Sequence, residues 1–259
     1  VQGLTEFLPV SSSAHLVLAR AFFGWNVDEG AFGLAFDVAL HAGTLIAIVL
    51  FFWRDLMSMV GAVPELLSAP RGPGKIARLI VLGTIPVIVF GVTVASWMEA
   101  HWRTPAVIAV TLIVGALWMI VAERLGSRDR TEEALTPGGA VLVGVAQSTA
   151  LIPGMSRSGS TMSMAMLLGL TRESAARFSF LLGVPAIGAA AAKEGLHVLK
   201  AGMTAHDAGL FLLGMTVSAL VGYATIRLFL RYLAGHSLDA FAYYRLALAA
   251  VTIVWLMAR

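Results

Sequence analysis

Two short segments of this chain carry the residues able to do chemistry. In the first, Gln2 and Glu6 stand four apart on one helical face just ahead of Pro9, and Ser11, Ser12 and His15 follow on the next half-helix. A carboxylate, a hydroxyl and an imidazole gathered at a chain break are the parts for metal coordination, nucleophilic attack or proton transfer. A buried Glu–His pair that only stabilises the fold is the other reading of the same residues. In the second segment, Pro153 to Thr161 place Arg157 among the hydroxyls of Ser156, Ser158 and Thr161, inside a stretch otherwise apolar over residues 138–170. An arginine at the centre of a membrane helix costs about 2.5–3.5 kcal/mol on insertion scales, so it implies a negative partner or a water-filled cavity. The guanidinium, the hydroxyls and the free N–H groups where the second half-helix starts can converge on one anion, with Gly154 and Gly159 allowing close backbone approach. The alternative is a kinked helix whose Arg157 pairs with a buried acid. A third pair, Asp37 and His41, is also spaced i, i+4 inside an apolar run and reads either as a proton relay or as a mutually satisfied structural pair.

The rest of the chain decides what surrounds these groups. Of 259 residues 58% are hydrophobic and 13% charged, and mean hydropathy is +0.85; soluble domains run at about 45–50% apolar and about 25% charged. This is the composition of an integral membrane protein. The net charge of +3 and pI near 9.6 come from basic residues spread over short loops, without the patch that nucleic acid requires. Cysteine is absent, which excludes a thiolate nucleophile and a cysteine zinc site and leaves any metal to oxygen or imidazole ligands. The motif starts directly behind Val1, which creates an expectation of further helix upstream.

Apolar runs long enough to span occur at residues 79–97, 105–122 and 208–226, with a fourth at 34–53 interrupted by Asp37 and His41. Shorter runs at 178–192 and 246–258, flanked by Arg177, Lys193 and Arg245, complete six predicted spans. Residues 1–23 and 138–170 are each broken at a proline, and their halves are too short to cross, so each predicts a re-entrant helix-loop-helix pair. At an offset of 144, Leu8-Pro9 and Ser12 align with Ile152-Pro153 and Ser156, and Phe36 with Phe180. The fold class is therefore all-α: one polytopic membrane domain over residues 1–259, built as two repeats of about 1–130 and 137–259. Lys/Arg counting places Arg54, Arg71, Lys75, Arg78, Arg124, Arg128 and Arg130 in the cytoplasm. Three spans per repeat invert the second copy, which puts Arg227, Arg231 and Arg245 on the same side, and interrupted segments at matching places in inverted halves point to a site between them. Arg172 and Arg177 read as interfacial anchors or partners of Glu173.

At these residues the chain resembles the undecaprenyl pyrophosphate phosphatases, the bacitracin-resistance type of integral membrane phosphatase. The family's acidic motif matches Gln2 to Ser12 with His15, its Pro-Gly-x-Ser-Arg-Ser-Gly motif matches Pro153 to Gly159 with Thr161 following, and the likeness extends over essentially the whole chain. The resemblance implies hydrolysis of undecaprenyl pyrophosphate to undecaprenyl phosphate and phosphate, recycling the lipid carrier of cell-wall synthesis. It further implies a divalent cation, Mg or Ca, bound through Glu6; a place in the bacterial cytoplasmic (inner) membrane; and a site facing the periplasm. Its partners are undecaprenyl pyrophosphate and the bilayer, with no nucleic acid and with homodimerisation left open. The first position of the acidic motif is Gln2 here, so two carboxylates from that motif are not available to a metal. Glu6, Ser12, His15 and Arg157 are the expected catalytic residues; Gln2, Ser156, Ser158, Gly159 and Thr161 are the expected substrate contacts. Ser12, Ser156 and water remain alternative nucleophiles. From a different class, a membrane transporter or lipid-phosphate flippase also fits an inverted repeat with an anion site at mid-depth.

Overall fold

The computed structural model describes residues 1–25, 34–201 and 205–258, and the side chains of all of these except 34, 35, 37, 38, 99, 193, 194, 196–201 and 205–207. An apolar chain in lipid must satisfy its backbone within each segment. Accordingly, the described residues form helices and turns, with one isolated bridge between Arg130 and Leu170. The first break separates α1 (Gln2–Thr5) from α2 (Ser12–Phe23). Next, α3 (Leu34–Phe51) turns by 73° into α4 (Trp53–Gly61). Then come α5 (Gly72–Thr93), α6 (Ala95–Trp102) and α7 (Pro105–Leu125). The second break separates α8 (Pro137–Ser148) from α9 (Arg157–Leu167), and α10 (Arg172–Ala201), α11 (Ala205–Leu233) and α12 (Asp239–Met257) complete the chain. Threonine caps with proline behind them start two of these helices, Thr104-Pro105 at α7 and Thr136-Pro137 at α8.

Five helices, α5, α7, α10, α11 and α12, are long and apolar enough to cross a membrane, and the bent α3–α4 pair makes a sixth span if taken as one. Helix α3 packs against α11 and α10, α7 against α12, and α5 against α8. Around this centre Phe7, Phe52 and Phe229 all meet Phe180, with Phe7 edge-on at 5.6 Å. On the outside, Val81, Ile85, Val92, Leu220, Leu228 and Val254 are exposed, as a lipid-facing belt requires.

At one end of the bundle the basic loops meet acids. Arg172 forks onto Glu123, with Nη2 2.7 Å from Oε2 and Nε 2.9 Å from Oε1, and Glu123 also accepts from Arg128 and from the Leu238 amide. Arg177 reaches Asp55 at 2.9 Å and Glu132 at 3.4 Å, its guanidinium lying over the Phe52 ring. The acids facing Arg172 and Arg177 are thus Glu123, Asp55 and Glu132, on other elements, rather than the neighbouring Glu173. One reading changes outright. Helix α12 starts at Asp239, seven residues before the predicted span, and Arg245 is fully buried inside the bundle instead of lying in a cytoplasmic loop.

Candidate active site

Both breaks end in the same local device. Ser11 caps α2 at φ 73°, its Oγ accepting from the Ala14 amide at 3.3 Å, and Ser156 caps α9 at φ 69°, its Oγ accepting from the Gly159 amide at 3.2 Å. Serine in the left-handed region costs about 1–3 kcal/mol and persists only where its surroundings fix it. Each cap also shares a hydrogen bond with the serine two places on, Ser11 with Ser13 at 3.1 Å and Ser156 with Ser158 at 3.3 Å. The two caps lie 145 residues apart, one more than the sequence alignment uses, because one residue separates Pro9 from Ser11 and two separate Pro153 from Ser156. In this register Ser12 stands where Arg157 stands.

The breaks are locked to each other and to α7. Ser158 Oγ donates to Leu8 O at 3.1 Å, the Gly154 amide donates to Ser13 Oγ at 3.3 Å, and Thr111 Oγ1 donates to Pro153 O at 2.7 Å. Beneath them the buried Arg245 guanidinium donates to five carbonyls: Pro9, Gly154 and Met155 in the breaks, Thr111 and Leu112 on α7.

This frame brings Glu6, Ser12 and Arg157 together. Glu6 Oε2 accepts from Ser12 Oγ at 2.7 Å and from Gln2 Nε2 at 3.0 Å, while Glu6 Oε1 faces Arg157 Nη2 at 3.3 Å. The ion pair is largely withdrawn from water, its side chains being 11% and 8% exposed. Arg157 Nη1 donates to Ser179 O at 3.2 Å, and its Nε has no partner. Gly183 makes room for this guanidinium, since a Cβ there would run into Arg157 Nη1. The anion site and the buried acid, posed above as alternatives, are therefore combined in one contact.

Beside this triad lies a cavity of about 230 Å³. Glu6, Ser12, Gln147, Ser156 and Arg157 give it a polar wall; Val87, Ala186, Ile187 and Ala190 give it an apolar one. Such a two-sided space suits an amphiphile with an anionic head.

Other expected contacts face protein. Thr161 Oγ1 bonds Arg157 O and Ser179 Oγ, Ser158 bridges to Leu8, and the Gly159 amide is held by the Ser156 cap. These three are buried scaffold behind the cavity wall, because the capped turn consumes the groups expected to meet the anion. His15 is equally occupied: Nδ1 lies 2.7 Å from Ser11 O and Nε2 lies 2.7 Å from the Tyr244 hydroxyl, the two rings stacked at 3°. The base within reach of Ser12 is Glu6. Of the Asp37–His41 pair, His41 lines the cavity, and the Asp37 side chain lies outside the described residues.

No cluster of three or more His, Asp or Glu side chains forms among the described residues. Ser12 and the Gln2 amide nitrogen both donate to the Glu6 carboxylate, and the Gln2 side-chain carbonyl is buried without a partner. The Glu6 carboxylate and the Gln2 side-chain carbonyl are hard oxygen donors of the kind Mg or Ca accepts.

Sequence reasoning missed Tyr244, Arg245 and Gln147. For Arg245 a signal existed in Gly115 on the facing helix, where a Cβ would collide with the guanidinium. For Gln147 the signal is its place nine residues ahead of the capping Ser156, as Gln2 is nine ahead of Ser11.

Comparison with known proteins matches residues 1–251 to the family model of bacitracin resistance protein BacA. The undecaprenyl-diphosphatase of Rubrobacter xylanophilus is 46% identical over 99% of this chain and 95% of its own length. Those of Geotalea daltonii, at 41% identity, and Alcanivorax borkumensis, at 42%, are covered to 95% and 96% and each matches 99% of this chain.

Proposed function

The chain belongs to the bacitracin resistance protein BacA family and is a multi-pass membrane enzyme that hydrolyses undecaprenyl diphosphate to undecaprenyl phosphate and phosphate, and we propose that Glu6, Ser12 and Arg157 carry that reaction. The observation that carries this assignment is the 2.7 Å hydrogen bond from Ser12 Oγ to a Glu6 carboxylate that also faces Arg157 at 3.3 Å. A hydroxyl becomes a competent nucleophile when an adjacent base takes its proton, and Glu6 is so placed. Ser12 Oγ attacks the terminal phosphorus as Glu6 accepts the proton. The bond to the bridging oxygen breaks, the proton held by Glu6 passes to that oxygen, and undecaprenyl phosphate leaves with Glu6 again a carboxylate. Water, deprotonated by the same carboxylate, then cleaves the phosphoserine to orthophosphate and restores Ser12. Phosphoryl transfer is catalysed mainly by positioning and by charge stabilisation. Arg157 supplies the latter, its unpartnered Nε and its Nη2 being available to phosphate oxygens as the guanidinium exchanges Glu6 for substrate.

A divalent cation, Mg or Ca, would be held by Glu6 with the Gln2 carbonyl close by, and it would neutralise charge on the diphosphate oxygens. His15 acts as a positioning residue, tying the Ser11 cap to Tyr244. The matched caps at Ser11 and Ser156 support the inverted-repeat reading of residues 1–130 and 137–259. We place the protein in the bacterial cytoplasmic membrane, which its family and its spanning helices support, with its cavity facing the periplasm, away from the basic loops that the Lys/Arg count assigns to the cytoplasm. The transporter or flippase reading is not favoured.

The test is phosphate release from undecaprenyl diphosphate in detergent, with and without EDTA, for wild type, Glu6→Ala and Arg157→Ala. The assignment predicts turnover that EDTA abolishes and that both variants lose. Release indifferent to both substitutions would remove Glu6 and Arg157 from the chemistry.

A further inference from the structure

Gln147 sits at the end of α8, is 1% exposed, and has hydrogen-bond partners for neither its Nε2 nor its Oε1. Leaving a buried amide unpaired costs about 1–3 kcal/mol per group, so such a residue calls for a reason. Comparison with Gln2 supplies one. Both glutamines stand nine residues ahead of a capping serine, Gln2 at the start and Gln147 near the end of the helix that leads into its break. Four residues after Gln2 comes Glu6, whose carboxylate takes the Gln2 amide at 3.0 Å. Four residues after Gln147 comes Leu151, which has no acceptor to offer. The same spacing thus accompanies a satisfied amide in one break and an orphaned one in the other. The orphan lines the cavity that Glu6, Ser12 and Arg157 also line.

We infer that Gln147 is a substrate-binding residue whose Nε2–H donates to an oxygen of the diphosphate head when it enters the cavity. The inference rests on the cavity being the diphosphatase site proposed above. An amide suits this wall. It offers donors to phosphate oxygens without adding a second cation, which would compete with Arg157 for Glu6. Being neutral, it also releases the product more readily than a charged clamp does. Its contribution is binding that is equal in ground and transition states, which sets KM rather than kcat.

The experiment compares wild type with Gln147→Met, which keeps length and flexibility while removing the amide, and with Gln147→Asn, which keeps the amide but withdraws it by one methylene. KM for undecaprenyl diphosphate and Ki for inorganic diphosphate as a competitive inhibitor are measured along with the melting temperature. A hydrogen bond to a charged oxygen predicts that KM and Ki both rise about ten- to hundredfold in Gln147→Met, with kcat within about threefold. Gln147→Asn should show a smaller rise in both. The melting temperature of Gln147→Met should hold or increase, because replacing an unpaired buried amide with an apolar group of like shape is neutral or stabilising. KM and Ki within about twofold of wild type in both variants would overturn the inference and leave the diphosphatase assignment standing. Wild type that releases no phosphate would instead sink that assignment.

Discussion

Replacing Arg245 with methionine tests whether this residue holds the two breaks together. Its guanidinium donates to Gly154 O at 2.9 Å, Met155 O at 3.1 Å and Pro9 O at 3.4 Å, all in the breaks. It also reaches Thr111 O at 3.1 Å and Leu112 O at 3.3 Å, which lie within α7 and accept helical hydrogen bonds as well. The substitution therefore strands three break carbonyls in a bundle interior. At roughly 1–3 kcal/mol for each buried unsatisfied group, the loss is about 3–9 kcal/mol, with the long Pro9 contact contributing least. That is a large share of the roughly 5–15 kcal/mol by which proteins are commonly stable. Arg245→Lys should recover only part of it, because an ammonium has three donors and no planar fork to span break and helix carbonyls on different elements. Thermal unfolding in detergent should fall by roughly 10 °C or more for Arg245→Met, at about 2–4 °C per kcal/mol for a chain of this size. Phosphate release at a temperature where the variant remains folded should drop as well, since Ser12 and Arg157 start from the breaks that Arg245 fixes. A melting temperature within 2 °C of wild type, in this estimate of about 10 °C, together with unchanged kcat/KM, would refute the reasoning.

Gly183→Ala should push Arg157 off its position, because the new methyl meets the guanidinium; kcat/KM falls about tenfold to a hundredfold, with folding preserved by size-exclusion chromatography. Arg157→Lys should lose at least about a hundredfold in kcat/KM, since a lysine cannot address Glu6, Ser179 O and phosphate oxygens as a fork does; steady-state kinetics showing a near-silent substitution would contradict the clamp. Tyr244→Phe keeps the ring stack but removes the hydroxyl at His15 Nε2. Its expected cost is about 1 kcal/mol, a fall of about 2–4 °C in melting temperature, with kcat reduced less than about tenfold.

The reach and the failures of the sequence follow from what each signal measures. Long apolar runs and prolines next to serines report on the chain's own backbone, so the spans and both breaks were readable. So was the assembly of Glu6, Ser12 and Arg157, which the break geometry requires. Charge was the misleading signal. Arg245 reads as a helix-end anchor because a buried cation without an acid is costly, and nothing local shows that five carbonyls from three other segments will meet it. The same blindness hid Tyr244 behind His15, 229 residues away in the chain. Ser158, Gly159 and Thr161 were expected to meet the anion because hydroxyls and glycine near an arginine favour it. In the folded chain these groups bond within the breaks and to α10, and residue type alone does not say which demand a hydroxyl serves. The caps repeat at 145 residues where the alignment runs at 144, because the alignment pairs proline with proline and the two breaks place their capping serines at different distances from it.

The central claim is that Ser12, activated by Glu6, is the group that takes the phosphoryl. It is tested most directly by rapid quench of a single turnover with undecaprenyl diphosphate radiolabelled in its terminal phosphate, followed by peptide mapping. Label should appear transiently on the protein at Ser12 and be absent in Ser12→Ala and Glu6→Ala. Label that passes straight to orthophosphate in wild type, with Ser12→Ala retaining most of the turnover, would contradict it.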